Sequence, residues 1–436
     1  MDRERRTDRN IKKGKKRKSA KYKRVRAFLF LVMTAVLVCM LFTGRTAADF
    51  DRASMKECGD PEAEVPEIFA EGAELYSSDL EEAVYSKNAD KKLPPYSITK
   101  ILTCYLAIKE LDPDQVVTVS AYAATPLEDG TTIYLKEGEK ISVRDLLYGA
   151  MLESGNDAAT ALAEAVSGSE KEFADLMNEQ AAEWGCENTH FVNANGWEDK
   201  DHYTTAHDMA VITSKCFESK ELRKIAMTVE YEIPATNMSE ARDLVSHTLT
   251  GRKTLDEHVT GGKTGAWSDT DASLAVAFSK DGINGSAVVL RSLLSERKTN
   301  VNKLIAASQD LTPGYLVCSE GDIICEARVR GGRKTITKLC SADTVHAYPK
   351  GHERSGIEVE LDRAELEAPV KAGEEAGTFT VYADAKKVQT GTLLTTEDIG
   401  KGWLPSRIYI PDRTVVLMAA AIVLWFLLLT VLRRIL

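Results

Sequence analysis

The stretch SITK at residues 97–100 decides how this chain is interpreted. Ser97 and Lys100 are three positions apart, so on a helix both side chains leave from the same face. A serine beside an amine that can take its proton is a nucleophile with its own base, and no histidine is needed. The pattern S-x-x-K alone also fits a helix with a capping serine and a solvated lysine. Its meaning therefore depends on the rest of the chain.

Two further short motifs follow in the chain, SGN at residues 154–156 and KTG at residues 263–265. The serine and the amide of SGN suit proton relay and substrate binding, although the tripeptide is also ordinary in turns. The lysine and threonine of KTG suit a substrate carboxylate, and its glycine lets a substrate strand lie close to the backbone. In this order, the three motifs resemble the set used by penicillin-recognising serine enzymes.

Lys100 can accept a proton from Ser97 only if its amine is uncharged. An exposed lysine is almost fully charged at neutral pH, because its ordinary pKa is about 10.4. Burial and a nearby cation both lower the pKa of an amine, and Lys263 is the candidate cation. Ser97 at a helix start would also bind an oxyanion through its own N–H, with Ala266 after KTG supplying a second N–H.

Other catalytic motifs fit poorly. GKT at residues 262–264 resembles the end of a phosphate-binding loop, but the glycine required at position 257 is Glu257, so we reject that alternative. No H-E-x-x-H or G-x-S-x-G motif occurs, and the seven histidines are scattered. We interpret His202 and His207 as surface or helix-capping residues. We expect no metal ion and no cofactor.

Composition and charge limit the partners. The chain has 436 residues, 44% of them hydrophobic, which is enough for two domains plus membrane segments. Residues 1–26 hold fourteen Lys and Arg against three Asp and Glu, a local charge of +11, although the whole chain has a formal charge of −10. The main body is therefore acidic and would repel phosphates, so we expect no nucleic-acid partner.

Two apolar runs flank the acidic body. Residues 27–44 directly follow the basic head, which favours a secretory signal or signal-anchor over a nucleic-acid arm. Thr46-Ala47-Ala48 suits cleavage after Ala48, the outcome we favour, although retention stays open. Residues 414–432 precede Arg433-Arg434 and predict a transmembrane helix with a cytoplasmic basic end. Both charge clusters place the body outside the cytoplasm.

The chain has eight cysteines, seven of them beyond the first apolar run, at irregular spacing and with no C-x-x-C pair. This pattern indicates neither a zinc site nor a regular disulfide framework. Cys104 is interpreted as a small core residue. A bridge among Cys318, Cys325 and Cys340 stays open.

The remaining pattern predicts a mixed fold. Residues 97–111 have helical periodicity with Ser97 as the N-cap, and residues 143–166 predict two helices broken near Gly155. The apolar runs 272–280 and 286–291 are typical of buried strands. Irregular alternation of helices and strands indicates an α+β domain rather than a Rossmann unit, and short strand-like runs after Pro313 indicate an all-β domain.

These observations divide the chain into five expected parts. They are a basic head with signal peptide or signal-anchor (1–48), a linker (49–65), a catalytic domain (66–312), a β domain (313–405) and a membrane anchor (406–436).

Residues 66–436 resemble the D-alanyl-D-alanine carboxypeptidases, the low-molecular-mass penicillin-binding proteins of bacterial cell-wall maturation. The segments that carry the likeness include DLLYGAMLESGNDAATALAE (145–164), THFVNANGWEDKDHYTTAHDMA (189–210) and LEAPVKAGEEAGTFTVY (366–382). The resemblance implies a serine β-lactamase/transpeptidase-like α+β domain, then a small all-β domain and an anchor in the bacterial cell membrane. It implies removal of the terminal D-alanine from peptidoglycan pentapeptide stems through an acyl-enzyme, inhibited by penicillins and other β-lactams.

The resemblance also implies a role for each motif residue. Ser97 would be the acylated nucleophile and Lys100 its proton acceptor. Ser154 would assist proton transfer, and Asn156 would position the substrate. The rest of the expected substrate site consists of Lys263, Thr264, Gly265 and Ala266. Ala266 stands where the family usually has a larger or aromatic residue.

Three alternatives stay open. A DD-endopeptidase would use the same motifs on cross-linked peptides. A class A serine β-lactamase would need a glutamate in an E-x-x-L-N setting, which does not occur between Ser154 and Lys263. A catalytically silent wall-binding scaffold would keep the fold without the reaction, although every motif residue is intact.

Overall fold

The computed structural model describes residues 23–36, 38, 47–60, 62–64, 67–125, 127, 130–251, 253–403 and 412–435. The basic head up to residue 22 lies outside the described residues. So do residues 39–46, which include Cys39, the second half of the expected signal segment and Thr46 of the expected cleavage site. Residues 23–36 form helix α1.

A five-stranded antiparallel sheet forms the centre of the α+β part, in the order β3-β2-β10-β9-β8. Its strands are β2 (Ala70–Ser77), β3 (Glu82–Lys87), β8 (Val259–Ser268), β9 (Asp271–Lys280) and β10 (Ile283–Ser292). The predicted apolar run in β9 is buried along most of its length. Because β2 pairs with β10, the beginning and the end of this part meet in one sheet.

Helices cover both faces of this sheet. One face carries α2 (Lys100–Glu110), α3 (Val143–Met151), α4 (Asn156–Ser167), α5 (Glu170–Glu183), α6 (Ala206–Cys216) and α7 (Lys220–Ala226). The other face carries α8 (Arg297–Leu311), whose Val301 and Leu304 share a core with Leu274 of β9. Two small hairpins lie outside the main sheet, β4 (Val116–Thr118) with β5 (Lys140–Ser142) and β6 (Glu230–Ile233) with β7 (Arg242–Val245). This arrangement confirms the predicted α+β fold.

Local sequence signals explain where several helices begin. Ser142 Oγ accepts the N–H of Asp145 at the start of α3, and Ser169 Oγ accepts the N–H of Glu172 at the start of α5. Gly155 separates α3 from α4, as the sequence predicted. The SGN motif is therefore held between two buried helices.

The β part contains a six-stranded sheet in the order β15-β17-β18-β13-β12-β16 and a three-stranded sheet in the order β1-β11-β14. Its strands are β1 (Lys56–Cys58), β11 (Gly314–Cys318), β12 (Ile323–Arg330), β13 (Ile336–Ser341), β14 (Val345–Ala347), β15 (Ile357–Arg363), β16 (Leu366–Glu367), β17 (Glu375–Ala383) and β18 (Lys386–Thr395). Alternate residues of β17, such as Phe379 and Val381, fill the core. The all-β character agrees with the sequence pattern.

Part of the stretch 49–65, which was expected to be a linker, is folded into the β part. Its strand β1 pairs antiparallel with β11, with Lys56 opposite Leu316. Met55 is buried in the core of the β part. A strand of three residues in an acidic stretch is too short to give an alternating pattern, which explains why the sequence did not reveal it.

The cysteines of the described residues are all free thiols. Cys104 is fully buried in the helical core, as expected for a small apolar residue. The bridge considered among Cys318, Cys325 and Cys340 is not formed.

Helix α9 (Asp412–Ile435) contains the second apolar run. Its segment Thr414–Val431 has a mean hydropathy of 2.7 and only 6% of it is buried. By length and composition it can cross a membrane, and its surface is available to lipid.

Candidate active site

Ser97 lies in a 3-10 turn (Tyr96–Thr99) that leads into α2. The expectation that Ser97 is the helix N-cap is wrong, because Thr99 precedes the α-helix and the Ser97 hydroxyl faces Lys100 instead. Tyr96 has a φ of +54°, an uncommon value for a residue with a side chain. Such strain is kept only where the surroundings enforce it.

Two glycines let neighbouring segments clamp this turn. A Cβ on Gly196 would lie 2.0 Å from the Tyr96 carbonyl oxygen, so the backbone before Trp197 touches the turn directly. A Cβ on Gly265 would lie 3.0 Å from the Pro95 carbonyl oxygen and 3.1 Å from the Ser97 nitrogen. The KTG strand therefore runs against the backbone of the serine.

Lys100 is fully buried directly beneath Ser97. Its Nζ lies 2.9 Å from Ser97 Oγ. It donates to Asn156 Oδ1 at 2.7 Å and to the Asn195 carbonyl oxygen at 2.6 Å. Burial, and after it the charge of Lys263, hold the pKa of Lys100 well below its ordinary value. A neutral amine has two protons, so the two carbonyl oxygens occupy both and the lone pair is left for Ser97.

Lys263 lies on β8 and is also fully buried. Its Nζ donates to Ser154 Oγ at 3.0 Å and to the Thr264 carbonyl oxygen at 2.9 Å. Burial, followed by the charge of Arg297, lowers the pKa of Lys263 to about 7. Each of the two buried lysines therefore lies within hydrogen-bonding distance of a serine hydroxyl, Lys100 of Ser97 and Lys263 of Ser154.

Ser154 is held in a left-handed conformation, with φ of +64°, between α3 and α4. Its carbonyl oxygen accepts from Thr131 Oγ1 at 2.7 Å. Asn156 begins α4, and its N–H donates to the Thr131 carbonyl oxygen at 2.8 Å. The carboxylate of Asp157 accepts the N–H of Ile133 at 3.1 Å. Residues 131 and 133, in the loop that precedes β5, therefore hold the SGN motif and the residue after it through hydrogen bonds.

These residues surround a cleft of about 460 Å³. Six of the eight predicted site residues line it, namely Ser97, Ser154, Asn156, Thr264, Gly265 and Ala266. Lys100 and Lys263 lie beneath it. No motif in the sequence indicated the other lining residues, which are Tyr96, Gly130, Thr131, Gly196, Trp197, His247, Trp267 and Arg297.

Arg297 is the missed residue with the greatest effect on charge. It is the first residue of α8, and its Nη1 donates to the Gly265 carbonyl oxygen at 3.0 Å. Burial lowers its pKa to about 10, so the guanidinium stays charged at neutral pH. Only its position after the KTG strand connects it with the site, and the sequence contains no motif that marks it.

His202 was wrongly interpreted as a surface or capping residue, since it is only 2% exposed. The N–H of Val192 donates to His202 Nδ1 at 3.1 Å, so the ring proton is on Nε2, which lies 3.0 Å from Thr99 Oγ1. Burial lowers the pKa of His202 to about 3, so the ring is neutral. His202 therefore contacts the turn that carries Ser97 from the protein interior.

The described residues contain no group of three or more His, Cys, Asp or Glu side chains that could hold a metal ion. The cleft brings together two serines, two buried lysines with lowered pKa values and a charged arginine. An α+β fold that buries a lysine beneath a serine in this way defines the class of active-site serine enzymes with a lysine base.

Comparison with known proteins identifies the family. Residues 60–293 match the model of the D-alanyl-D-alanine carboxypeptidase family, and residues 315–401 match that of the penicillin-binding protein 5 C-terminal domain. The chain belongs to the D-alanyl-D-alanine carboxypeptidase family.

Relatives and solved structures agree with this assignment. The chain is 28% identical to D-alanyl-D-alanine carboxypeptidase DacF of Bacillus subtilis, over 76% of this chain and 86% of that protein. It is 30% identical to DacD of Salmonella typhimurium, over 74% and 84% of the two chains. Penicillin-binding protein 5 of Haemophilus influenzae superposes with a TM-score of 0.53 at 25% identity, over 78% of this chain and 100% of that one. The Streptomyces K15 DD-transpeptidase gives 0.52 at 27% identity, over 56% and 98%.

Proposed function

We propose that this chain is a serine-type D-Ala-D-Ala carboxypeptidase that removes the terminal D-alanine of peptidoglycan pentapeptide stems. The observation that carries the proposal is the contact of Lys100 Nζ with Ser97 Oγ at 2.9 Å, in a cleft with a buried cation at one end. Family membership supports the same activity.

In the proposed first step, Ser97 Oγ attacks the carbonyl carbon of the penultimate D-alanine. The Ser97 proton passes to Lys100, whose lone pair is the one free position on a neutral amine already donating to two carbonyl oxygens. The backbone N–H groups of Ser97 and Ala266 would bind the oxyanion. The close approach of Gly265 to the Ser97 nitrogen supports this, because it brings the two backbone segments together.

The bond to the leaving D-alanine then breaks, and its nitrogen needs a proton. Ser154 is suited to deliver it, because its hydroxyl receives a hydrogen bond from Lys263 at 3.0 Å. A lysine with a pKa of about 7 can both hold and release a proton at neutral pH. The proton that Lys100 took from Ser97 then passes to Ser154, replacing the one given to the leaving D-alanine, and Lys100 is neutral again. Water attacks the ester on Ser97 and gives a proton to Lys100. Lys100 returns that proton to the Ser97 oxygen as the shortened peptide leaves.

The substrate carboxylate would lie at the cationic end of the cleft. Arg297 supplies a permanent charge, and Lys263 and Thr264 supply further donors. Asn156 would hold the peptide backbone on the opposite side. This arrangement favours peptides whose terminal carboxylate belongs to the residue after the scissile bond. A penicillin also has a carboxylate near its reactive amide bond, so it fits the same arrangement.

The β-lactamase alternative has little support in the structure. A deacylating glutamate must be free to activate water, and the carboxylate of Glu170, behind Asn195, already accepts four hydrogen bonds. The donors are Asn195 Nδ2 at 3.3 Å, the Ala194 N–H at 3.1 Å, the Tyr122 hydroxyl at 2.7 Å and Thr160 Oγ1 at 3.3 Å. The DD-endopeptidase and scaffold alternatives remain outcomes of the test below.

We also propose that the catalytic domain spans residues 66–312, the β domain spans 313–405, and the protein is held in the bacterial cell membrane by residues 406–436. The apolar segment Thr414–Val431 supports anchoring. The basic residues after it, with the basic head, favour a catalytic domain on the extracytoplasmic face.

The test is digestion of a purified pentapeptide by the full-length protein, followed by mass spectrometry. Loss of one alanine is expected, and a matched cross-linked dimer tests endopeptidase cleavage. Fluorescent penicillin should label the wild type but not Ser97→Ala or Lys100→Ala. Lys109→Ala, on the same helix, is the control and should label normally. Normal labelling of Lys100→Ala would contradict the lysine-base mechanism, and an unlabelled, inactive wild type would indicate the scaffold.

A further inference from the structure

Three aromatic side chains at the mouth of the cleft have no part in the mechanism above. They are Tyr96, Trp197 and Trp267, and all three line the cleft beside Ser97. The rings of Tyr96 and Trp267 are stacked, with centroids 6.3 Å apart and planes at 19°. Trp197 meets Trp267 edge-on, with centroids 5.3 Å apart and planes at 68°. We call these three residues the aromatic wall.

The backbone holds the aromatic wall in place. Trp267 sits where the pairing of β8 with β9 shifts register between Ala266 and Ser268, and such bulges redirect a side chain. The Trp197 N–H donates to Asn195 Oδ1 at 2.8 Å, and Asn193 Nδ2 donates to the Trp197 carbonyl oxygen at 3.0 Å. Trp267 nevertheless remains 51% exposed, so one large apolar face is open to the cleft.

The direction of β8 tells which part of a substrate reaches the aromatic wall. The strand runs from Lys263 and Thr264, at the carboxylate end, to Trp267. The reacting carbonyl lies between them, beside Ser97. Residues that precede the scissile bond therefore extend toward Trp267, at about 3.4 Å per residue of extended chain.

We propose that the aromatic wall is a subsite for the unbranched alkyl side chain of the residue that precedes the D-Ala-D-Ala pair. The proposal rests on the proposed function. Two flat rings at a steep angle form a slot that suits a linear chain of methylenes. Glu198 follows Trp197 and is exposed, and so is Asp269 near Trp267, which disfavours an anionic side chain at this position.

The test uses acetyl-X-D-Ala-D-Ala peptides, where X is glycine, norleucine, lysine or glutamate. The quantity measured is kcat/KM for release of D-alanine by the full-length protein. We expect norleucine and lysine to exceed glycine by about tenfold or more, since a methylene in an apolar pocket typically contributes at least that much. Glutamate should give no such gain. Trp267→Ala and Trp197→Ala should lose most of the norleucine-to-glycine ratio, and Trp267→Phe should recover part of it.

Trp403→Ala is the matched control, because Trp403 is 65% exposed and does not line the cleft. Its ratio should equal that of the wild type. A ratio near one in the wild type, or an unchanged ratio in both tryptophan variants, would overturn the subsite while leaving the carboxypeptidase activity standing. Absence of D-alanine release from every peptide would overturn the proposed function and the subsite with it.

A different observation concerns helices α1 and α9, which come from opposite ends of the chain and contact each other through one pair of aromatic rings. The rings of Phe30 and Trp425 are 6.1 Å apart between centroids. Most large apolar side chains on both helices face outward, with Leu31 70% exposed and Leu424 69% exposed. Such a surface suits lipid.

Both ends of the folded body leave from the region of β12. The Glu326 N–H donates to the Ala48 carbonyl oxygen at 2.9 Å, and the Ala48 N–H donates to the Glu326 carboxylate at 3.2 Å. The Gly402 N–H donates to the Gly331 carbonyl oxygen at 2.7 Å. Gly331 is five positions after Glu326, directly after the end of β12, so the two attachment points are about 17 Å apart. Attachment points this close are compatible with two helices that run antiparallel.

An antiparallel arrangement brings the two basic ends together. Arg26 is four residues, about 6 Å of helix, from Phe30, and Arg433 is eight residues, about 12 Å, from Trp425. Along the chain, Arg26 precedes Phe30 and Arg433 follows Trp425, so each is farther from the folded body in sequence than the ring contact. This is the distribution expected of two membrane-spanning helices with cytoplasmic ends.

We infer that the N-terminal helix is retained and forms an antiparallel membrane hairpin with α9, contrary to the cleavage favoured from sequence. Cleavage after Ala48 would separate this helix from the body and remove the Ala48 backbone groups that pair with Glu326 from the chain. The protein would then have both termini in the cytoplasm.

The test uses the full-length protein extracted from the membranes of a bacterial host. Intact mass spectrometry should give the uncleaved chain of 47.9 kDa. In a Cys39→Ser background, Phe30→Cys with Trp425→Cys should form a disulfide within one chain on oxidation, whereas Leu31→Cys with Trp425→Cys should not. A mature chain beginning at Asp49 would overturn retention. An uncleaved chain without the first cross-link, or with both equally, would overturn the paired hairpin.

Discussion

Replacing Arg297 with glutamine should reduce activity mainly on peptides that end in a carboxylate. Arg297 is the permanently charged group that lines the cleft, and glutamine keeps polarity while removing the charge. A charge pair at 4 Å contributes about 4 kcal/mol at an effective dielectric constant of 20. Neighbouring donors such as Lys263 and Thr264 would recover part of this. We therefore expect a loss of about 2–4 kcal/mol, or about 30-fold to about 900-fold in kcat/KM.

The assay compares a D-Ala-D-Ala peptide with the same peptide ending in a carboxamide. The wild type should have a higher kcat/KM on the peptide with the free carboxylate. Arg297→Gln should lose most of this preference, because the neutral carboxamide forms no ion pair with Arg297 and its kcat/KM should change little. Lys303→Gln removes a charge further along α8 and is the control. An equal loss on both peptides would refute carboxylate binding, since it would mean that Arg297 acts through Lys263 or through the fold. Unchanged thermal unfolding would exclude the second explanation.

Three further predictions address the proton path and the support of the catalytic turn. Lys263→Gln removes a positive neighbour, so the pKa of Lys100 should rise and the acid limb of the acylation–pH profile should move to higher pH; an unmoved limb would contradict the coupling. Ser154→Ala should slow acylation by D-Ala-D-Ala peptides about 100-fold or more, measured as D-alanine release, and an undiminished rate would rule out the proton relay. His202→Ala should lower the free energy of unfolding by about 2–4 kcal/mol in denaturant titration, because the buried Thr99 hydroxyl and the half-buried Val192 N–H lose their partner and the ring leaves a cavity. The exposed His190→Ala is its control, and equal effects would contradict a structural role for His202.

The sequence predicted those parts of the structure that depend on local pattern. The break at Gly155, the apolar strand β9 and the alternating strands of the β part follow from periodicity within about ten residues. The order of the three motifs also predicted which residues meet, because their chemistry is complementary. Ser97 was misplaced as an N-cap because spacing alone cannot tell a capping hydroxyl from one that faces a lysine.

The cleft residues that no sequence motif indicated were missed for a different reason. Arg297, Trp197 and Trp267 reach the cleft through long-range packing, and none belongs to a repeating pattern. Arg297 reaches the site because β9 and β10 bring the chain back to the end of the sheet where β8 turns into β9, and the Leu294 N–H there donates to the Asp269 carbonyl oxygen at 2.8 Å. His202 was missed because a buried histidine and an exposed one look the same in a polar loop. Only the contacts with Thr99 and Val192 distinguish them.

The charge state of the site follows from the order of its cations, of which the sequence predicted Lys263 beside Lys100 but not Arg297 beside Lys263. Lys100 and Lys263 are equally buried, so burial alone would lower both pKa values alike. Arg297 keeps its proton, its charge helps to bring Lys263 to a pKa of about 7, and Lys263 in turn helps to keep Lys100 neutral. In the proposed mechanism, a neutral amine and an amine that carries a proton can therefore coexist at neutral pH within one cleft, each beside its own serine. Replacing Arg297 should change the pKa of Lys263, and replacing Lys263 should change the pKa of Lys100. The pH profile of the rate therefore distinguishes these variants better than the rate at a single pH.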